Sequence, residues 1–257
     1  MNEWIKRSIE LANSERYLDK LSKVYPVTPE LERAIPNEIK LQIKKAFDAK
    51  DRPGLIKILL KLDKFPIKDP YVAFLRKREQ FLTYNPRTVD RIAERLFSTS
   101  FDEIIKGCEE PKEFNRQIGT LFKGWLPKLG YPLLSESKFD ACKGIAFLKG
   151  SDNELMDYAN RELGCNLDKG PDLLAKAGNS YIIGEAKFLT DYGGHQNAQF
   201  EDALRLLKGK KGKAIKIAIL DGVVWIEGRA KMYRKVCRLN KIALSALLLN
   251  EFLESLR

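Results

Sequence analysis

Pro171-Asp172-Leu-Leu-Ala-Lys-Ala-Gly-Asn-Ser-Tyr-Ile-Ile-Gly-Glu185-Ala-Lys187-Phe188 contains two apolar blocks separated by Ala177-Gly178-Asn179. The block Tyr181–Phe188 has the length and β-branched content of a strand, and Asp172-Leu-Leu opens another across a turn. Side chains on a strand alternate faces, so Glu185 and Lys187 project to one side. A first strand that delivers Asp172 beside them gathers two carboxylates and one ammonium around one point. Paired carboxylates suit Mg²⁺, a hard cation that takes oxygen ligands and keeps part of its water. A lysine beside such an ion can orient or help deprotonate water. These residue types at this spacing point to phosphodiester hydrolysis by Asp172, Glu185 and Lys187. A carboxylate such as Glu185 inside an apolar strand is costly unless it has a partner or a role.

Outward from this block the pattern is mixed α/β. Ile145–Leu148 reads as a short strand, and Ser151 opens a helix running to about Leu163, where Gly164 stops it. Gln196–Leu207 reads as a helix, Lys213–Leu220 as a buried strand, Asp221-Gly222 as a turn and Val223–Ile226 as a further strand. Ile242–Leu256 reads as a closing amphipathic helix. Upstream, helices are joined by short breaks. Thr28-Pro29, Asp69-Pro70 and Asn85-Pro86 each place proline just after a capping residue. The segment Thr88–Phe97 puts Val89, Ile92, Ala93 and Leu96 on one stripe, and a further helix runs from Glu110-Pro111 toward Trp125. Pro127-Lys-Leu-Gly-Tyr-Pro132 marks the boundary. The expected organisation is a helical region over 1–127 and a core over 128–257 that ends in a basic segment.

Chain length and charge bound the function classes. At 257 residues and 44% hydrophobic, the chain can bury one good core or two small ones. No apolar run approaches the roughly 18 residues of a membrane span, and the opening Met-Asn-Glu-Trp-Ile-Lys lacks a signal-peptide core. Cys108, Cys142, Cys165 and Cys237 are far apart and without nearby histidine, as expected of reduced thiols in a soluble cytoplasmic protein. The net charge is +11, and between Ala203 and Arg257 there are 13 Lys and Arg against 4 Asp and Glu. Two acid-free clusters of six basic residues each, Arg205–Lys216 and Arg229–Lys241, carry that excess. Such clusters attract phosphate backbones by counterion release, and neither has the aromatic-rich apolar face of a membrane binder.

The Pro-Asp, the Glu-x-Lys on an apolar strand and the Gly-Gly-His-Gln-Asn-Ala-Gln-Phe that follows resemble the PD-(D/E)xK nuclease superfamily, and within it the type II restriction endonucleases. The resemblance covers Ser151 to Glu227. One branch carries Gln-x-x-x-Tyr after the second strand; here Gln196-Asn-Ala-Gln-Phe200 has Phe in place of Tyr. The resemblance implies a restriction-endonuclease-like α/β (α+β) core, a mixed sheet flanked by helices. It further implies Mg²⁺ bound by Asp172, Glu185 and the backbone carbonyl of Ala186, with water as nucleophile and Lys187 positioning it. The implied activity is site-specific cleavage of double-stranded DNA that leaves 5′-phosphate and 3′-hydroxyl ends, by a homodimer whose helical half serves recognition, dimerisation or both.

Some members carry a further carboxylate on the preceding helix, which makes Glu154 a candidate metal ligand. Ser151-x-x-Glu154 is equally a capping box. Candidate DNA contacts are Gly194, His195, Gln196, Asn197 and Gln199 after the second strand, with Lys208, Lys210, Lys211, Lys213, Arg229, Lys231, Arg234 and Lys235 in the basic clusters. His195 is the single histidine, which leaves no zinc cluster and no histidine-metal nuclease motif. A structure-selective repair nuclease and a non-catalytic basic DNA-binding protein remain as alternatives.

Overall fold

Residues 1–26, 34–110, 117–209 and 212–257 are described by the structure, a computed structural model. Contacts divide the chain into two units, Met1–Val27 with Phe114–Arg257, and Thr28–Glu113. The chain opens with α1 (Glu3–Ala12) and α2 (Tyr17–Val24). The second unit follows as α3 (Asn37–Asp48), α4 (Arg52–Leu60), α5 (Val72–Leu75), α6 (Gln80–Tyr84), α7 (Pro86–Phe97) and α8 (Phe101–Glu109). In α7, Pro86 takes the first turn, where its missing N–H costs nothing, and Val89, Ile92, Ala93 and Leu96 are buried as their spacing requires. The helix expected after Asp69-Pro70 begins only at Val72, because Asp69 accepts from the Tyr71 amide and is clamped by Arg91 and Arg95. Thr28-Pro29 and Pro111 lie outside the described residues.

The chain then returns to the first unit with α9 (Ile118–Trp125), β1 (Leu133–Leu134), α10 (Glu136–Ala141), β2 (Ile145–Leu148), α11 (Asp152–Arg161), β3 (Leu173–Ala177) and β4 (Ser180–Leu189). It closes with α12 (Gly194–Lys208), β5 (Ala214–Gly222), α13 (Lys231–Cys237), β6 (Ile242–Leu244) and α14 (Leu249–Glu254). The strands form one six-stranded sheet in chain order. β2, β3 and β4 are antiparallel, whereas β4, β5 and β6 run parallel and need α12 and α13 as crossovers. This is the mixed α/β sheet flanked by helices that the sequence implied. Alternation splits the apolar side chains between two clusters. Ile145, Phe147, Leu173, Ala175, Ile182 and Ala186 join α1, α2, α9 and α12, while Ala146, Leu148, Leu174 and Ile183 join Phe139, Leu155 and Tyr158. The break expected at Pro127–Pro132 falls inside this unit, at the 3₁₀ turn Leu126–Leu129 before β1. Among the described residues no helix is long and apolar enough to cross a membrane.

Two local expectations are corrected. Val223–Ile226 is not a strand, since Val223–Trp225 is a 3₁₀ turn, and Asp221-Gly222 finishes β5 rather than forming a hairpin turn. Gly222 does take a positive φ of 88°, and a Cβ there would lie 2.1 Å from the Leu189 carbonyl oxygen, so the Asp-Gly signal reflects a close strand approach. Ile242–Leu256 is not one helix: Ile242–Leu244 pairs parallel with Ile217–Ile219 as an edge strand before the chain turns into α14. An apolar run of that length satisfies either period, and the partner strand decides.

The end of β5 carries a fully buried carboxylate. Asp221 accepts bonds from the hydroxyls of Tyr25 (3.0 Å), Tyr17 (3.3 Å) and Ser245, and from the Ala246 amide (3.2 Å). It thereby ties α2 and the segment after β6 to the sheet. Burial outweighs these bonds and pushes its pKa up to about 7. Between the ordinary carboxylate range and pH 7 the folded chain therefore holds a proton that the unfolded chain has released. The stability this contributes is complete in acid and is lost as pH rises through 7, by up to about 4 kcal/mol. Urea denaturation at pH 5 and pH 8.5 is expected to show wild type losing stability with pH at this site, and Asp221→Asn to flatten that slope. An unchanged slope in the variant would remove Asp221 as its source.

Candidate active site

β3 and β4 are joined by the two-residue turn Gly178-Asn179, with Ala177 opposite Ser180. Gly178 has φ of 57° and Asn179 is not in the positive region, the sign pattern of a type II′ hairpin turn. The turn fixes the register, and Leu173 comes opposite Gly184 at the far end. Asp172 immediately precedes that pair on one side and Glu185 immediately follows it on the other, close enough for the charge of Glu185 to act on Asp172. Glu185 and Lys187 lie on the face of Ile183, while Asp172, in a bend just before β3, reaches toward them from the strand end. The three residues singled out by sequence therefore converge at the open end of one hairpin. The Ala186 amide donates to Asp172 Oδ2 at 2.9 Å. Because the N–H and C=O of a strand residue point the same way, the Ala186 carbonyl is directed to this side too.

The electrostatics are tight. Glu185 is 4% exposed, and its Oε1 accepts from Lys187 Nζ and from Lys169 Nζ, each at 2.6 Å. Lys169 also reaches Asp202 on α12, which Arg205 approaches at 3.5 Å. Burial raises the pKa of Asp172, and the negative charge of Glu185 raises it further, against the opposing pull of Lys187, the Ala186 amide and Lys123. Burial disfavours charge on Lys169 as well, but Asp202 and Glu185 outweigh it and raise that lysine above its ordinary value. Asp202 is likewise penalised by burial and held below the usual range by Lys169. Under Asp172 lies Gly119 of α9, where a Cβ would stand 2.8 Å from Asp172 Oδ1. A cavity of about 290 Å³ opens beside Glu185 between Lys169, Pro171, Asp202, Arg205 and Leu206.

Sequence reading missed Lys169, Asp202 and Gly119. Lys169 lies two residues before the Pro-Asp and Asp202 on a helix beyond it, and only the fold brings them together. The donor set is oxygen throughout: two carboxylates and one strand carbonyl on the same side. That set fits a hard divalent cation. Among the described residues no third His, Cys, Asp or Glu completes a cluster with them.

The remaining candidates fall elsewhere. Glu154 is exposed and engaged in the capping box of α11, its carboxylate 2.6 Å from the Ser151 amide, and that bond holds its pKa low. Gln196 is buried, and its amide donates to Thr190 Oγ1 at 3.0 Å, pinning the loop before α12. Asn197 donates to the carbonyls of Tyr192 and Gly193, and His195 meets Gln199 at 3.0 Å on the exposed start of α12 beside Gly194. Lys208, Lys213, Arg229, Lys231 and Arg234 are exposed. Lys235 is instead committed to an ion pair with Glu201. Lys210 and Lys211 lie outside the described residues.

A model of the Tsp45I type II restriction enzyme family matches residues 2–256. No curated protein and no solved structure gives a significant match. The match spans both units, so the helical half shares the family's sequence signature with the sheet. Gly119→Ala is expected to push the Asp172 carboxylate off the Ala186 amide and slow DNA cleavage about 10- to 100-fold. Alanine also favours the helix by up to about 1 kcal/mol, so the melting temperature should hold. Full cleavage by this variant would show that Asp172 placement is not critical.

Proposed function

The chain belongs to the Tsp45I type II restriction enzyme family and is a site-specific deoxyribonuclease, and on that basis we propose that it cuts both strands of a short duplex sequence using Mg²⁺ at the β3–β4 hairpin. Asp172, Glu185 and the Ala186 carbonyl are the ligands. The observation that supports this reading is the hairpin register, which ends on Leu173 opposite Gly184 and leaves Asp172 and Glu185 as the next residue on either side, with Lys187 bonded to Glu185. A divalent cation bound there supplies charge that polarises the scissile phosphate and acidifies water.

The side chains of the site do the rest. Lys187 is held by Glu185 within the buried strand, so its ammonium is already oriented before substrate arrives. It positions the attacking water in line with the leaving oxygen and offsets negative charge building on the phosphoryl oxygens. Attack of water on phosphorus and departure of the 3′-oxygen leave a 5′-phosphate and a 3′-hydroxyl. Exposed Lys208, Lys213, Arg229, Lys231 and Arg234 hold the backbone without reading sequence, alongside Gly194, His195, Asn197 and Gln199 at the start of α12. A palindromic site read by two-fold symmetry makes the working form a homodimer. The helical residues of the first half supply base contacts, dimer contacts or both.

Incubation with a long natural duplex and MgCl₂ is expected to give a discrete fragment ladder that EDTA abolishes. Asp172→Ala and Lys187→Ala should each lower cleavage by at least about 10²-fold, while gel shifts in EDTA retain specific binding. Normal cutting by Lys187→Ala would remove it from the mechanism. Cleavage confined to flaps, junctions or single strands would point to repair instead, and binding with no nicking under any metal would leave a non-catalytic protein.

A further inference from the structure

Glu185 Oε1 is shared by two ammonium groups, Lys187 and Lys169, and they are not equivalent. Lys187 is 18% exposed on its strand and donates to Glu185. Lys169 is 45% exposed, lies in the loop before Pro171 and already touches a second carboxylate, Asp202 of α12. We infer that Lys169 is a stand-in cation, a positioning residue that occupies the acidic site without metal and swings fully onto Asp202 when a divalent ion binds.

This inference rests on the cation site proposed above. A carboxylate oxygen offers two lone pairs, and on Oε1 both are taken. Beyond that geometry, an ammonium on a metal ligand opposes a divalent ion by ordinary repulsion, strongly because Glu185 is buried. Entry of the ion onto Oε1 therefore requires one lysine to move. Asp202 keeps Lys169 ion-paired when it leaves Glu185, and the adjoining cavity gives it room. The arrangement solves two problems at once. In the empty site Lys169 neutralises a buried carboxylate that Lys187 shares, which keeps Glu185 in place. In the loaded site it withdraws to α12, beside the cation rather than on its ligand.

Mn²⁺ binding to the full chain, measured by calorimetry without DNA, tests this separately from cleavage. Lys169→Met removes the competitor and is expected to bind Mn²⁺ about tenfold more tightly than wild type. Asp202→Asn removes the alternative acceptor and is expected to bind it several-fold more weakly. Asp202→Asn made in the Lys169→Met background is expected to weaken binding far less than it does in wild type, whereas a plain charge effect of Asp202 would persist there unchanged and overturn the inference. Circular dichroism melts establish that the variants are folded; should Lys169→Met fail to fold, Asp202→Asn decides alone, and unchanged or tighter binding there overturns the inference. Equal or weaker binding by folded Lys169→Met also overturns it. If neither wild type nor Lys169→Met binds Mn²⁺ in a manner that Asp172→Ala abolishes, the cation site itself falls.

Discussion

The hydrogen bond from the Ala186 amide to Asp172 Oδ2 closes the open end of the β3–β4 hairpin and fixes one carboxylate close to another. Its existence depends on register, which the two-residue turn at Gly178-Asn179 sets at the other end. A slip by one residue would send Glu185 and Lys187 to the opposite face and separate them from Asp172. Register is held by burial on both faces, since Leu173 and Ile182 belong to one apolar cluster and Leu174 and Ile183 to the other. Gly184, whose Cβ would crowd Ile217, Ile219 and Leu173, lets β4 fit between its neighbours at the position just before Glu185. The core thus does more than stabilise the fold: it aims the acids.

Bringing carboxylates together in a buried setting is unfavourable. Like charges about 4 Å apart repel by roughly 4 kcal/mol at an effective dielectric near 20. The chain offsets this with Lys187, Lys169 and the Ala186 amide, and Asp172 is left with a raised pKa because burial and Glu185 outweigh that help. A pair of acids held at such a cost would gain from a divalent cation, and this is the physical argument behind the proposed metal role. Asp221 shows the contrast. It too is buried with a raised pKa, but hydroxyl and amide donors from Tyr17, Tyr25, Ser245 and Ala246 surround it in place of a second carboxylate, and it ties elements together.

The hairpin, α11, α12 and β5 were legible in the sequence because each has a local signature: a turn, a capping box, a glycine stop, an apolar run. So was the proximity of Asp172, Glu185 and Lys187, which a two-strand motif brings together without any distant contact. What escaped was decided across the fold. β6 exists because Ile217–Ile219 offers it an edge, and the apolar sequence from Ile242 onward fits a helix as well. Asp221-Gly222 reads as a hairpin until the parallel neighbour appears. Lys169, Asp202 and Gly119 reach the site from a loop and two helices, and no spacing rule links them. The bonds of Gln196 to Thr190 and of Lys235 to Glu201 are likewise set by the fold and not by a local pattern.

Crystals of the protein grown with Mn²⁺ and examined by anomalous scattering test the shared-cation claim at its source. A single strong peak within about 2.0–2.3 Å of oxygens from both Asp172 and Glu185 is the predicted result. Manganese bound elsewhere, or touching only one of the two acids, would contradict it.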